Sequence, residues 1–282
     1  ATQSLDPGSI ANAIAHMERD RIDPTYTAPA GAFGADAWDG HLAKLADLED
    51  TSDFNVLELV NAYLGYRGHP AVAPELWSKV ETAILGFKFW YDQPTPEGII
   101  DDMWYWSENH QILFASAAYL AGQLYPDAVF PNSGQTGREK MEEHRPRIER
   151  WLELRFRTGF SEWLSNVYYD EDLTPLVNLV DFCRDPEIRQ RAAMVTDLLL
   201  LDIMMEEADS GFQCAQRLAR TYPGLPILML SSIADAASHV FDPGPDNSRY
   251  TTSHRDVPHL PLYPFGYGLS YTTFSYGDVQ LS

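Results

Sequence analysis

Asp53-Phe54-Asn55-Val56-Leu57-Glu58-Leu59-Val60-Asn61-Ala62-Tyr63-Leu64 is the stretch that decides the fold. Val56, Leu57, Leu59, Val60, Tyr63 and Leu64 recur at the three- and four-residue spacing that lines one side of a helix. The pattern stops at Gly65 and Gly68-His69-Pro70, where glycine and proline break helices. A second run, Leu76, Trp77, Val80, Ile84 and Phe87, closes near Asp92 and Pro94. Two short helices joined by a tight break make a hairpin.

Two more pairs follow the same plan. The periodicity predicts helices over about 108–124 and 138–157, carried by Ile112, Leu113, Leu120 and Leu124, then by Met141, Ile148, Trp151, Leu152 and Phe156. It predicts another pair over about 171–183 and 186–200, split by Arg184-Asp185-Pro186. Pro175 suits a first turn, and Pro146 should start or kink its helix. The pairs begin near Asp53, Glu108 and Glu171, a spacing of roughly 55–60 residues that suits a stack of repeated hairpins. The fold class is therefore mainly α.

The segments before each pair are polar and often aromatic: 48–53, then Met103-Trp104-Tyr105-Trp106-Ser107-Glu108-Asn109-His110, then 159–170. In a ring of hairpins these segments open onto one end. Aromatic rings there offer flat faces to sugars, and carboxylates offer acid–base groups. The plainer reading is that the aromatics staple the hairpins and the acids complement helix dipoles.

Composition narrows the partners. A formal charge of -21 repels nucleic-acid phosphates, and 45% hydrophobic content with 12% aromatics is globular. Cys183 and Cys214 lack metal-ligand spacing and read as ordinary thiols; no metal and no cofactor is expected. The acids at 170–172 read as a solvated helix start rather than a Ca²⁺ site. The N-terminal residues show no charged-then-apolar signal pattern, and the run Leu198 to Leu201 is too short to span a bilayer, so a soluble chain with no membrane partner is expected.

Trp104-Tyr105-Trp106-Ser107-Glu108-Asn109-His110-Gln111-Ile112 and Gly159-Phe160-Ser161-Glu162-Trp163-Leu164-Ser165-Asn166-Val167-Tyr168-Tyr169-Asp170 resemble the α/α-toroid proteins, the six-hairpin glycosidases and polysaccharide lyases, over about 45–200. The resemblance implies a partial α/α toroid, since such rings normally close with more hairpins than three. It implies a sugar site with Trp104, Trp106, Asn109, Trp163, Tyr168 and Tyr169 as binding residues and Glu108, His110, Glu162 and Asp170 as catalytic candidates. A hydrolase would pair Glu162 with Glu108 or Asp170. A lyase would neutralise a uronic acid with Asn109, abstract a proton with His110 and protonate the leaving group with Tyr168 or Tyr169.

Leu198-Leu199-Leu200-Leu201-Asp202-Ile203-Met204-Met205 is an apolar run ending in an acid, followed by an amphipathic stretch and Ile227-Leu228-Met229-Leu230-Ser231-Ser232. Strand, helix and strand in that order resemble the middle of a response-regulator receiver domain over about 197–233, with Asp202 in the phosphoacceptor place. Such domains need a later lysine, and no lysine follows Lys140, so Asp202 is expected to be inactive. Pro261-Leu262-Tyr263-Pro264-Phe265-Gly266-Tyr267-Gly268-Leu269-Ser270-Tyr271-Thr272-Thr273-Phe274 resembles a C-terminal segment of family 3 glycoside hydrolases such as β-glucosidases, over about 248–282.

The chain is thus expected to divide into an N-terminal arm and loop (1–44), a helical-hairpin domain (45–205), a receiver-like helix–strand fragment (206–240) and a linker with an extended tail (241–282). The fold is mainly α, a partial α/α toroid of helical hairpins with a short α/β and extended C-terminal appendage. It reads as an incomplete or chimeric carbohydrate-active protein acting on an oligo- or polysaccharide, as hydrolase or lyase. A receiver-like signalling module and a non-catalytic scaffold or sugar-binding module are the alternatives.

Overall fold

The computed structural model describes residues 4–162 and 168–204. The chain divides into two compact units, one of Ala1–Leu154 with Phe160–Val195 and one of Arg155–Gly159 with Thr196–Ser282. Described residues of the second unit are the last turn of a helix with its exit, Arg155–Gly159, and a helical stretch at 196–204.

The fold is mainly helical. Among the described residues the elements are α1 (Ile10–Ile22), α2 (Asp39–Asp47), α3 (Ser52–Tyr66), α4 (Pro74–Gly86), α5 (Glu108–Leu124), α6 (Gly137–Thr158), α7 (Tyr169–Phe182) and α8 (Pro186–Met204). Their starts have local causes. Pro74 and Pro186 open α4 and α8, where a missing N–H costs nothing. Ser107 caps α5 by accepting from the His110 amide, and Asp185 Oδ1 accepts from the amides of Glu187 and Ile188.

α3, α5 and α7 lie side by side and run the same way. Their first turns meet through His110 and Asp53, their middles through Asn61 and Asn178, and their ends through Gln123, whose Nε2 donates to the Phe182 carbonyl 2.8 Å away. α5 is the central member. Ile112 through Gln123 are all buried, and a helix apolar on every side belongs in a core. α4 returns along α3, with Trp77 edge-on to Tyr63 at 5.8 Å. α6 approaches α5 closely at a glycine pair and sends Trp151 Nε1 to the Glu108 carbonyl at 2.8 Å. Arg145 of α6 pairs with Asp185 ahead of α8.

Three expectations change. Residues 1–44 contain α1 and part of α2 rather than an arm and loop. Ile10, Ala13 and Met17 form a fully buried stripe, and Tyr66 donates to Glu18 Oε2 to hold α1 on α3. Pro175 sits in the second turn of α7 rather than the first, and Pro146 does not start its helix, which continues on both sides of it. The receiver-like reading loses its first strand, because 197–204 continues α8 and Asp202 lies on that helix. The rest of that stretch and the family 3-like tail lie outside the described residues.

Candidate active site

The parallel course of α3, α5 and α7 brings their first turns together, and with them Asp53, His110 and Glu171. His110 Nδ1 lies 2.6 Å from Asp53 Oδ2, across 57 residues of chain. Phe54 stands edge-on to the imidazole at 5.3 Å and fixes its plane. Asp53 is 1% exposed. Burial raises its carboxyl above the usual range, against the pull of His110 and of the first amides of α3. For His110 burial opposes protonation, yet the Asp53 hydrogen bond and charge, helped by Asp50 and Glu171, leave the imidazole raised. The dyad is thus an imidazole held in one orientation with its proton favoured.

Glu171 in the first turn of α7 supplies the second acid–base group. Burial raises its carboxyl, and the charges of Asp170, Asp53 and Glu58 raise it further, while His110 lowers it. Glu58, one turn deeper on α3, is also raised by burial. Each of the three helices thus brings titratable groups to this end: Asp53 and Glu58 from α3, His110 from α5 and Glu171 from α7.

A strap of extended chain, 101–106, runs into α5 beside this site. Asp101 anchors it, accepting from Lys88 Nζ at 2.6 Å, Tyr105 Oη at 3.0 Å and its own turn amide, Met103 N, at 3.1 Å. The Asp102 amide donates to Leu48 O just ahead of α3. Alternation turns Met103 and Tyr105 inward and leaves Trp104 and Trp106 more than half exposed. Trp106 lies 4.7 Å from exposed Tyr91, giving an aromatic surface at the same end as the dyad.

The structure brings some of the sequence candidates together and separates others. His110, Trp104 and Trp106 face this end. Glu108 opens α5, but its carboxylate accepts from Ser161 N at 2.9 Å and Ser161 Oγ at 2.8 Å and so latches the loop after α6. Glu162 is half-buried in that loop. Asp170 is exposed beside Glu171, and Tyr168 is exposed at the start of α7. Two candidates are buried. Asn109 is 2% exposed, with Oδ1 turned onto the His110 amide at 2.8 Å, and Tyr169 is 5% exposed against Phe160. Trp163 lies outside the described residues. Among the described residues no cluster of acids, histidines and cysteines suits a metal ion, and no helix is long and apolar enough to cross a membrane.

Sequence reasoning marked Asp53 and Glu171 as helix starts and passed over them as chemistry. The signal was there: an acid or a histidine in the second or third position of every first helix. What a sequence does not display is that those three turns touch.

No protein-family model matches the chain, and no solved structure matches it. A periplasmic β-glucosidase of Salmonella typhimurium is 60% identical over 35 residues, which is 12% of this chain and 5% of that protein. The chain therefore matches only a small part of that relative's length, and the similarity is a short, partial one to a glycoside hydrolase.

Proposed function

We propose that the helical body binds neutral oligosaccharides and hydrolyses a glycosidic bond at the Asp53–His110–Glu171 end. The 2.6 Å contact between Asp53 and His110 carries this reading, because a buried carboxylate orienting an imidazole is an arrangement suited to proton transfer. The short likeness to a β-glucosidase supports a carbohydrate substrate.

In this mechanism the protonated imidazole, steadied by Asp53, gives its Nε2 proton to the leaving glycosidic oxygen as the C–O bond breaks. A water bonds to the anomeric carbon and yields its proton to the Glu171 carboxylate. Trp104 and Trp106 hold the adjoining sugar by their ring faces. The acids Asp50, Asp53, Glu58 and Glu171 at this end disfavour a uronic acid, and Asn109 is turned away, so hydrolysis is supported over elimination.

The test is release of reducing ends from neutral oligosaccharides by the purified chain. H110Q and E171Q should each lose about 10²–10⁴-fold in kcat, E171Q with unchanged melting and H110Q with a lower melting point because it leaves Asp53 buried without its partner. Product absorbing in the ultraviolet would instead show elimination. Binding without turnover, weakened by W104A, would select a sugar-binding module; the exposed Trp104 and Trp106 are the observation that favours this second reading. Full activity in H110Q would sink the proposed centre.

A further inference from the structure

Two of the four lysines are buried, and their surroundings differ. Lys88 has a carboxylate, with Nζ 2.6 Å from Asp101 Oδ2. Lys140, in the first turn of α6, has none. It is 0% exposed, makes one 3.4 Å hydrogen bond to Ser133 Oγ, and stands 4.8 Å from the ring centroids of Phe89 and Phe130. Ring faces attract a cation but accept no ordinary hydrogen bond, and a buried ammonium with unused donors is costly. The acid acting on it, Glu143, already accepts from Arg147 Nη2 at 2.9 Å and Gln135 Nε2 at 2.5 Å.

One turn along α6, His144 is also 0% exposed; neither ring nitrogen has a hydrogen-bond partner, and Glu143 Oε1, already bonded to Arg147, stands 3.8 Å from Nε2. Its ring stands edge-on to Trp90 at 5.9 Å, and the Trp90 Nε1 is itself buried without an acceptor. Gln93 completes the set. Its Oε1 accepts from the Phe89 amide at 2.9 Å, which fixes the amide orientation and leaves Nε2 buried without a partner. Arg147 lies 4.2 Å over the Trp90 ring. In a chain of net charge -21, this corner gathers two cations, Lys140 and Arg147, around one acid, with four residues offering unused buried donors. Two buried acceptors on the next loop, Asn132 Oδ1 and Gln135 Oε1, also lack partners. A water can serve those, but a water does not neutralise an ammonium.

We infer that a small monovalent anion of chloride's size binds between Lys140 and His144, with Trp90 Nε1 and Gln93 Nε2 as its further donors. Full burial of Lys140 and His144 limits the guest to a single small ion. Without the ion, burial pushes the Lys140 amine down to about 8, and burial with the charges of Arg147 and Lys140 pushes the His144 imidazole well down. The bound anion relieves both and ties the 87–95 turn, from which Lys88 anchors the strap, to α6. This site is independent of the sugar chemistry proposed above.

The test compares melting of the full chain in chloride and in gluconate at matched ionic strength. A saturable rise of about 3 °C is expected between about 1 and 100 mM chloride, with no rise in gluconate. K140M should abolish the difference. W90F removes Nε1 together with the five-membered ring of the indole, so it should melt lower in both salts and also show a several-fold weaker chloride dependence; that difference between the salts decides the matter if K140M does not fold. A bromide-soaked crystal should show an anomalous peak beside Lys140 Nζ. Equal melting in the two salts, chloride dependence unaltered in W90F, or a water with no bromide peak at that position would each overturn the assignment.

Discussion

Gly122 of α5 and Gly137 of α6 face each other backbone to backbone. A Cβ at Gly122 would stand 2.5 Å from the Gly137 carbonyl oxygen, and one at Gly137 would stand 2.6 Å from the Gly122 carbonyl oxygen. The obstructing atoms are main chain, so no rotamer change clears them. Alanine gains about 1 kcal/mol over glycine within a helix, while an unrelieved overlap costs about 3 kcal/mol, so the overlap wins. G122A and G137A should each lose about 2 kcal/mol in denaturant unfolding. The control is G40A: a Cβ at Gly40 of α2 meets nothing within 4 Å, and that variant should gain about 0.5–1 kcal/mol.

A stabilising change is expected where intuition offers none. Thr51, exposed at the start of α3, has φ 68°, a left-handed conformation that a β-branched residue adopts at a cost. Its side chain does not cap the helix. T51G should raise stability by about 1 kcal/mol, read as a shift in the denaturant midpoint with unchanged slope. A fall in stability would mean the threonine side chain makes a contact that outweighs its backbone strain.

Glu108 and Glu171 both stand in first turns, and substitution should separate their roles. E108Q weakens the grip on Ser161 and should cost about 1–2 kcal/mol of stability, with faster proteolytic nicking after α6. E171Q should melt unchanged and lose turnover. Melting curves and reducing-end assays on the two variants check the pair together.

The Asp53–His110 contact has a pH signature with a definite sign. The folded imidazole is raised above its ordinary 6.5, so its contribution to stability is complete below that value and is lost as pH rises through the folded one. Asp53→Asn removes the charge and should lower the His110 titration midpoint in an NMR titration, flattening that loss. Activity should rise as Glu171 deprotonates, above its ordinary 4.5, and fall as His110 deprotonates, above 6.5. A D53N midpoint equal to the parent's would remove the dyad from the mechanism.

The helices were legible where the apolar period was strong. The stretch 108–124 coincides with α5 because serine caps it and apolar residues fill it. α1 was not legible, since its buried stripe of Ile10, Ala13 and Met17 is thin and set among polar residues. The run 198–201 suits both the end of a helix and the start of a strand, because four leucines have no period and the two look alike there; the structure continues α8 through it. At the candidate site His110 and the exposed tryptophans could be named from sequence. Asp53 could not, because its partner lies 57 residues away and only packing of α5 on α3 makes them neighbours.

Asp53, His110 and Glu171 each come from a different hairpin, and no hairpin carries two of them. Proton transfer at this end is therefore a property of the assembled trio. Chain cleavage at the exposed turn 67–68, or after α5, would leave fragments that are each chemically mute. Mixing such fragments would restore turnover only as fast as they dock, so the reaction would serve as a clock for hairpin association, needing no attached dye.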